Sequence, residues 1–223
     1  MRILVVGSKG SMGSRYVAIL RYLKEDVITA DIGDPWWEWE FDRVIIATPT
    51  DHHYNDINLA RVKGKPILCE KPISKDRAEL EYLCSAPDLD IRMVSNWKYA
   101  INLALTRAQK VAIEGEMEIE YSYYDSGKDG FFWDCIQLIH LAGRFKYDRT
   151  RPAFEAKVNG LDVTLEHIQA SYVLMVSEWL HGDKTKLWSL EDALTATKKV
   201  QMVVDTGMDA AVSGDLDFME AKF

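Results

Sequence analysis

The stretch Ile3-Leu4-Val5-Val6-Gly7-Ser8-Lys9-Gly10-Ser11-Met12-Gly13 decides the fold of this chain. Residues 3–6 are a short, continuous apolar run, which is typical of a strand buried on both faces in a parallel sheet. Three glycines then permit a tight turn, and residues 11–23 have the pattern of a helix. A strand, a glycine-rich turn and a helix in this order predict the first β-α unit of a doubly wound sheet.

The same alternation of short apolar runs and helical segments continues to residue 94. Further strands are predicted over residues 27–30, 44–47, 67–69 and 91–94, and further helices over residues 51–61 and 75–84. Asp51 is expected to cap the first of these two helices. Strands that alternate with helices predict a parallel α/β sheet with right-handed crossovers.

The pattern changes after Val94. Helices are predicted over residues 99–113, 131–142, 166–180 and 190–206, strands over 117–124 and 154–158, and a loop over 144–152. Glu118, Glu120 and Ser122 are expected on one polar face of their strand. We therefore predict an α/β fold: an N-terminal Rossmann doubly wound parallel sheet over residues 1–94, a reduced α+β C-terminal domain over 95–207, and an acidic tail over 208–223.

Composition limits the classes of partner. The chain has 223 residues, of which 48% are hydrophobic, so a sizeable core is expected. A net charge of −8 with no basic cluster argues against nucleic acid or a membrane surface as the main partner. Three cysteines, an odd number with no CxxC pair, favour a reduced cytoplasmic setting. No signal peptide and no membrane-spanning run is recognised, and no metal site is expected.

The glycine turn predicts a dinucleotide pyrophosphate site. Glycines let phosphate approach the backbone amides, and a helix amino terminus favours negative charge. Asp31 lies 18 residues beyond Gly13, where it is suited to accept hydrogen bonds from a ribose diol. A carboxylate there repels a 2′-phosphate, so NAD is favoured; NADP stays open, because Asp31 can turn away and Lys9 or Arg15 could meet a phosphate.

Three of the seven tryptophans lie between Asp31 and Val44, a stretch too short and turn-like for a crossover helix. They are expected to cover the edge of the sheet. The alternative is that one of them packs on the adenine ring.

Two further groups of polar residues follow predicted strands, at the sheet edge where open α/β sheets bind ligands. The first is Ala47-Thr48-Pro49-Thr50-Asp51-His52-His53. Its histidines suit either a ligand site or a helix-capping turn with solvated imidazoles. The second is Cys69-Glu70-Lys71-Pro72. Lys71 could donate a proton or stabilise an alkoxide there, or could be a surface lysine paired with Glu70.

These pieces, in this order, resemble the Gfo/Idh/MocA family of NAD(P)-dependent oxidoreductases, which includes glucose-fructose oxidoreductase and inositol dehydrogenase. The segments Asn96-Trp97-Lys98-Tyr99, Gly115-Glu116-Met117 and Gly130-Phe131-Phe132-Trp133-Asp134 extend the resemblance into the second domain. It implies hydride transfer between nicotinamide and a sugar-like or other small substrate, with Lys71 as the catalytic lysine and Asp134 in the substrate pocket.

The resemblance also implies where the ligands lie. The cofactor-binding set is Gly7, Ser8, Lys9, Gly10, Ser11, Met12, Gly13, Asp31, Thr48, Pro49, Thr50, His53, Glu70 and Lys71. Within it, Thr48, Pro49, His53 and Glu70 are expected to line the nicotinamide half. Candidate substrate residues are Asn96, Lys98, Gln137 and His140. The family's second-domain sheet often forms a homodimer, which is possible here.

Two departures from the family pattern matter. Sugar-oxidising members usually carry a histidine four residues after the acid that corresponds to Asp134, and this chain has Leu138 there. His140 is displaced by roughly 160° from Leu138 around a helix, so it is a poor substitute. The second domain also has few predicted strands, so the sequence does not decide whether the family's dimer interface is present. Two alternative functions follow: a biliverdin-reductase-like enzyme, and a non-catalytic NAD(P)-binding sensor or interaction module.

Overall fold

A computed structural model of the chain describes residues 1–86, 88–105, 117–122, 134, 137–138, 141, 144–148 and 154–205. These residues divide between two compact units. The first contains Met1–Ser95 and Met175–Thr197, and the second contains Asn96–Leu174 and the residues from Lys198 onward. The prediction assigned residues 175–197 to the second domain. They belong to the first because Leu190 and Ala193 pack into the core of its sheet.

The first unit is built on a five-stranded parallel sheet in the order β2-β1-β3-β4-β5. Its strands are β1 (Arg2–Val6), β2 (Asp26–Ala30), β3 (Arg43–Ile46), β4 (Ile67–Cys69) and β5 (Ile91–Met93). Its helices are α1 (Ser11–Tyr22), α2 (Thr50–Val62) and α3 (Arg77–Cys84). The chain order reverses between β1 and β3, so this unit has the switch point that open α/β sheets use to bind ligands. The predicted parallel sheet is confirmed.

The central strands are buried because, after Arg2 and Arg43 at their first positions, all their side chains are apolar. Ile3, Leu4 and Val5 of β1 and Val44, Ile45 and Ile46 of β3 have no solvent exposure. A strand covered on both faces needs such a continuous apolar run, since neither face can hold a polar side chain without a partner. The short runs in the sequence therefore located these strands to within one residue at either end.

Two local predictions in this unit were wrong or incomplete. Asp51 does not cap α2, because Pro49 occupies the N-cap position with extended backbone and the helix begins at Thr50. Asp51 lies instead in the first turn, where a carboxylate still suits the helix dipole. The side chain that does cap a helix here is Asp76, which accepts a hydrogen bond from the amide of Ala78 at the start of α3.

The connection from β2 to β3 contains no α-helix, only a single 3₁₀ turn over Trp36–Glu38. Trp36 is buried in the core of the sheet, and Trp39 packs partly buried against the same cluster. Trp37 is exposed. Two of the three tryptophans thus cover apolar surface, as the structural interpretation of this stretch expects.

The second unit contains a four-stranded mixed sheet in the order β7-β6-β8-β9 among the described residues. The strands are β6 (Glu118–Ser122), β7 (Arg144–Asp148), β8 (Glu155–Val158) and β9 (Leu161–Asp162). Strands β6 and β7 are parallel, whereas β6 and β8, and β8 and β9, are antiparallel. The prediction of a loop over residues 144–152 was wrong for β7, because Phe145 and Tyr147 alternate with polar residues as a strand requires.

Three further helices follow, the first in the second unit and the other two with residues in both units. They are α4 (Trp97–Ala104), α5 (Leu165–His181) and α6 (Leu190–Asp205). Helix α4 ends at Ala104, with Leu105 extended, so the predicted helix over 99–113 is interrupted at Leu105. Residues 106–113 of that prediction lie outside the described part. Asp134, Gln137, Leu138 and Leu141 have helical backbone, as predicted for residues 131–142. Ser122 is buried, so only Glu118 and Glu120 fit the predicted polar face.

Among the described residues, no helix combines the length and the apolar character that crossing a membrane demands. The predicted acidic tail over 208–223 lies outside the described residues.

Candidate functional site

The glycine turn follows β1 and leads into α1, and two of its glycines are required by close contacts. Gly7 has a φ of +82°, and a Cβ atom there would lie 2.7 Å from the carbonyl carbon and oxygen of Ala47. A Cβ atom on Gly13 would lie 2.0 Å from the Gly7 carbonyl oxygen. Any larger residue would therefore have to displace backbone. The turn is packed directly against the loop that follows β3.

The amino terminus of α1 is open to an anion. Its N-cap is Gly10, no side chain caps it, and its first turn carries no acidic residue. The first amides of a helix have no partner inside the helix, and the helix dipole favours negative charge at this end. Ser8, Lys9, Gly10, Ser11 and Met12 are all at least partly exposed around it. These features fit a phosphate group.

Asp31 follows β2 and is bonded to the glycine turn. Its carboxylate accepts hydrogen bonds from the Ser8 hydroxyl at 2.8 Å and from the Lys9 amide at 3.1 Å. The Lys9 ammonium lies 4.0 Å from the same carboxylate. The Asp31 amide donates to Asp34 at 2.9 Å. The acid therefore stands beside the predicted phosphate site, held by the turn itself.

The loop after β3 is held by two side chains of α2. The Thr48 hydroxyl donates to Asp56 at 2.7 Å, and the Thr48 carbonyl oxygen lies 2.8 Å from Nε2 of His53. Burial raises the pKa of Asp56, against the opposing effects of the Thr48 hydrogen bond and the nearby charges of His53 and His52. Pro49 is exposed and Thr50 partly so, at the sheet edge where a ligand would lie.

His53 connects this loop to the one after β4. It is buried, and its Nδ1 lies 2.7 Å from the carbonyl oxygen of Pro72 while its Nε2 contacts Thr48. Interpreting both histidines as solvated imidazoles is therefore wrong for His53; His52 is exposed. The ring ties two loops together through their backbones.

Lys71 follows β4 on a segment with fixed backbone. The Glu70 amide donates to the Ile46 carbonyl of β3 at 2.9 Å, and the Lys71 amide donates to the Glu70 carboxylate at 3.1 Å. The Lys71–Pro72 peptide bond is cis. The Glu70 side chain is buried and also accepts a hydrogen bond from the Tyr16 hydroxyl of α1. Lys71 itself is partly exposed.

The neighbouring cysteine has no part in this chemistry. Cys69 is fully buried at the end of β4. Burial, followed by the charges of Glu70 and Asp56, raises the pKa of its thiol well above the usual value. Because a thiol must ionise to act as a nucleophile or a ligand, Cys69 is inert.

The structure thus brings most predicted first-unit residues together at one edge of the sheet. The glycine turn, the Thr48 loop and the Lys71 segment follow three adjacent parallel strands, so they share the carboxyl edge. Two residues that sequence reasoning missed hold these segments: Tyr16 and Asp56. Tyr16 lies three residues after Gly13 on a buried helix face, and Asp56 lies three after His53. Those spacings were visible signals of a shared face.

The second unit contains the remaining candidates. Asp134 accepts a hydrogen bond from the Tyr121 hydroxyl at 3.0 Å and is half-buried. Asn96 and Gln137 are buried; Asn96 donates to Ser171 at 3.2 Å. The Gln137 side-chain oxygen lies 3.5 Å from the amide of Trp97. Lys98 is exposed, and His140 lies outside the described residues.

Some buried polar atoms among the described residues of the second unit have no hydrogen-bond partner in the protein. They include Oδ1 of Asn96 and Nε2 of Gln137. Leu138, at the position of the family histidine, is fully buried in the apolar cluster that includes Trp97 and Tyr121. It therefore contributes to the core and supplies no acid or base.

No group of three or more histidine, cysteine, aspartate or glutamate side chains in the described part of the chain could hold a metal ion. A cofactor, if bound, is held by backbone amides, hydroxyls and the few charged groups named above.

The fold is a Rossmann-type parallel sheet followed by a second unit built on a mixed sheet. No protein-family model matches the sequence, and no curated protein is similar to it. Solved structures do match. A probable dehydrogenase from Thermotoga maritima has a TM-score of 0.70, 13% identity, and coverage of 97% of this chain and 99% of that one.

Two further matches carry more specific names. A myo-inositol dehydrogenase from Corynebacterium glutamicum matches with a TM-score of 0.67 at 13% identity, covering 97% of this chain and 98% of that one. The WlbA (WbpB) dehydrogenase from Thermus thermophilus, in complex with NAD and UDP-GlcNAcA, matches at 0.65 and 13%, covering 91% and 94%. At these identities the likeness is one of fold, and it is the fold that the predicted resemblance implies.

Proposed function

We propose that this chain is an NAD-dependent oxidoreductase that transfers a hydride between the nicotinamide ring and a carbon of a sugar-like or other small polar substrate. One observation carries the proposal. The segment with Lys71 is bonded both to the glycine-turn helix, through Tyr16 and Glu70, and to the Thr48 loop, through His53. A cation at the switch-point edge of a Rossmann sheet stands where open α/β sheets bind their ligands.

The residues present fit a dinucleotide. The cradle at Gly7 and Gly13 excludes a side chain, and the start of α1 is uncapped and free of acids. This is the arrangement that backbone amides need to hold a pyrophosphate. The proposed binding set is the one predicted from the sequence, from Gly7 to Gly13 with Asp31, Thr48, Pro49, Thr50, His53, Glu70 and Lys71. Within it, His53 acts through backbone contacts rather than as an exposed ligand.

Asp31 favours NAD in this proposal. Its carboxylate is bonded to the glycine turn, so it remains beside the ribose and repels a 2′-phosphate. Lys9 lies 4.0 Å from the same carboxylate, which partly offsets that repulsion. Asp31→Ala should therefore narrow the ratio of NADPH to NADH dissociation constants by about tenfold, which is 1.4 kcal/mol.

The protein residues do the acid-base work. When bound, NAD supplies the hydride acceptor at nicotinamide C4. Lys71, partly exposed and held by fixed backbone, stabilises the alkoxide oxygen and exchanges its proton. Asp134, whose carboxylate accepts a hydrogen bond from the Tyr121 hydroxyl, remains a proposed catalytic residue. Asn96, Lys98, Gln137 and His140 remain proposed substrate residues.

The substrate class rests on the structural neighbours. They are named as myo-inositol dehydrogenases and as an enzyme crystallised with the sugar nucleotide UDP-GlcNAcA. Polyols and sugar derivatives are thus the first substrates to test. We propose a cytoplasmic enzyme whose partner is this small molecule, with a homodimer as the possible assembly.

Binding and turnover test the proposal separately. NAD, NADH, NADP and NADPH are titrated by calorimetry, and cofactor reduction is then followed at 340 nm with a panel of polyols, sugars and sugar nucleotides. Binding of none of the four dinucleotides would sink the proposal. An assay with biliverdin and reduced cofactor addresses the biliverdin-reductase alternative.

A non-catalytic NAD(P)-binding sensor is the second candidate, and Leu138 favours it. This residue is fully buried in the apolar cluster of the second unit. A sensor binds the dinucleotide with no turnover on any substrate in the panel. Turnover that depends on Lys71 excludes it.

A further inference from the structure

The helix that follows the glycine turn is joined to the Lys71 segment by a buried hydrogen bond. Tyr16 is fully buried on α1, and its hydroxyl donates to Oε1 of Glu70. Oε2 of the same carboxylate accepts the backbone amide of Lys71 at 3.1 Å. The two oxygens of Glu70 thus serve two different partners, one on the helix and one on the backbone of the lysine.

The backbone of this segment is held on its other sides as well. The Glu70 amide is bonded to Ile46 of β3, and the Cys69 carbonyl accepts from the amide of Val94. The Pro72 carbonyl contacts the buried ring of His53. Hydrogen bonds therefore hold the backbone on both sides of Lys71, and the Glu70 carboxylate accepts a hydrogen bond from the Lys71 amide itself.

We propose that Tyr16 is a positioning residue for Lys71 and acts through the carboxylate of Glu70. Tyr16 fixes the direction of the carboxylate, and the carboxylate fixes the Lys71 amide, from which the lysine side chain projects. The helix that holds the pyrophosphate is thereby coupled to the residue that handles the proton. This inference rests on the proposed function only for its kinetic readout.

The geometry makes the effect of removing the hydroxyl specific. Tyr16→Phe keeps the buried ring and removes only the donor to Oε1. The Glu70 side chain then loses one of its two fixed contacts, so the carboxylate that accepts the Lys71 amide is held less firmly. Misplacement of a reacting group by about 1 Å can cost on the order of 100-fold in rate. A partial loosening should cost less than that.

The first experiment compares Tyr16→Phe with Tyr22→Phe, a matched control on the same helix that is 75% exposed. Tyr16→Phe should lower kcat about tenfold, change the dissociation constant of NADH less than twofold, and alter the pH dependence of kcat. A merely structural lesion would lower kcat equally at every pH. A kcat within twofold of the wild type, or a weakening of NADH binding as large as the loss of kcat, overturns the proposal.

The second experiment tests whether Tyr16 acts through Glu70. Glu70→Gln leaves one side-chain oxygen to serve two donors, so it disrupts the same link. The double variant Tyr16→Phe/Glu70→Gln should be no worse than Glu70→Gln alone, because both changes break one chain of contacts. Additive losses would overturn the proposal. If Tyr16→Phe does not fold, Glu70→Gln with Tyr16 intact must itself speed the chemical labelling of Lys71 at least threefold, and an unchanged labelling rate overturns the proposal.

A third measurement needs no substrate. The rate at which trinitrobenzenesulfonate labels Lys71 is followed by peptide mass spectrometry. Tyr16→Phe should speed this labelling at least threefold by loosening the segment, and Tyr22→Phe should not. An unchanged labelling rate overturns the proposal. If the wild type turns over no substrate, the proposed function fails, while the labelling rate still decides the role of Tyr16.

Discussion

The candidate residues of the two units differ in how completely the protein itself satisfies their hydrogen bonds. In the first, polar side chains stand on loops after buried strands and bind one another or the backbone: Asp31 with the glycine turn, Thr48 with Asp56, Glu70 with Tyr16. In the second, buried polar atoms of Asn96 and Gln137 are left without a protein partner. Side chains that are already paired within the protein suit the binding of one invariant cofactor. Unpaired groups suit a ligand that completes them.

The largest effect should come from Lys71. Lys71→Ala is expected to lower kcat by about 10²- to 10⁴-fold, the usual contribution of a positioned acid or base. The dissociation constant of NADH should stay within about threefold, because backbone amides hold the pyrophosphate. Steady-state kinetics and calorimetry measure the two quantities. Lys75→Ala, an exposed neighbour, is the control. A rate unaffected by Lys71→Ala would reject the assigned role.

The next largest effect is expected from the glycine turn at Gly7 and Gly13. Gly13→Ala places a Cβ atom 2.0 Å from the Gly7 carbonyl oxygen. Overpacking of this kind costs about 1–3 kcal/mol, and the displaced turn should weaken NADH binding at least tenfold, which is about 1.4 kcal/mol. Urea unfolding and calorimetry measure both losses. Ser14→Ala, exposed on the same helix, should change neither by more than a few tenths of a kcal/mol. Tight NADH binding by Gly13→Ala would contradict the cradle.

Asp134 tests the division between the units directly. Asp134→Asn keeps a side-chain oxygen for the Tyr121 hydroxyl but removes the charge. A hydrogen bond between the substrate and a charged carboxylate contributes about 1.5 kcal/mol. Its loss should lower kcat/KM roughly tenfold and leave the affinity for NADH unchanged. Tyr121→Phe, which removes only the hydroxyl, should have a smaller effect. If Asp134→Asn weakens NADH binding instead, the proposed catalytic role of Asp134 is wrong.

The smallest effect concerns Asp56. Burial raises its pKa above 3.8. A carboxyl whose pKa rises on folding adds stability that is complete below the unfolded-state pKa and is lost as the pH rises through the folded-state pKa. The free energy of unfolding of the wild type minus that of Asp56→Asn should therefore fall with rising pH above about 3.8, then level off. Urea unfolding from pH 4 to 8 measures it, with Asp51→Asn as control. A difference that rises with pH would contradict the sign.

The sequence predicted the first unit well because each of its strands is a short apolar run followed by polar residues. Such runs have few alternatives, and the glycines at 7 and 13 leave the turn no freedom for a side chain. The second unit was predicted less well. Strand β7 pairs in parallel with β6, and nothing local to Arg144–Asp148 shows a partner some twenty-five residues earlier.

The candidate site was predicted in its members but not in its contacts. Lys71 and Glu70 were recognised from a motif, whereas the Tyr16–Glu70 bond joins residues 54 positions apart. His53 was recognised as well, but its buried ring serves two carbonyl oxygens rather than solvent. Pairings of this kind depend on how helices pack over the sheet, which the order of residues along the chain does not display.

The first unit is discontinuous, and this has a consequence for its synthesis. Strand β5 is completed by the carbonyl of Trp188, which accepts the amide of Met93, and the core is closed by Leu190 and Ala193. A nascent chain released only to residue 95 lacks this cover, so the sheet cannot finish folding on the ribosome until residues 188–193 have also emerged. We expect chains truncated after residue 95 to aggregate through the open edge of β5.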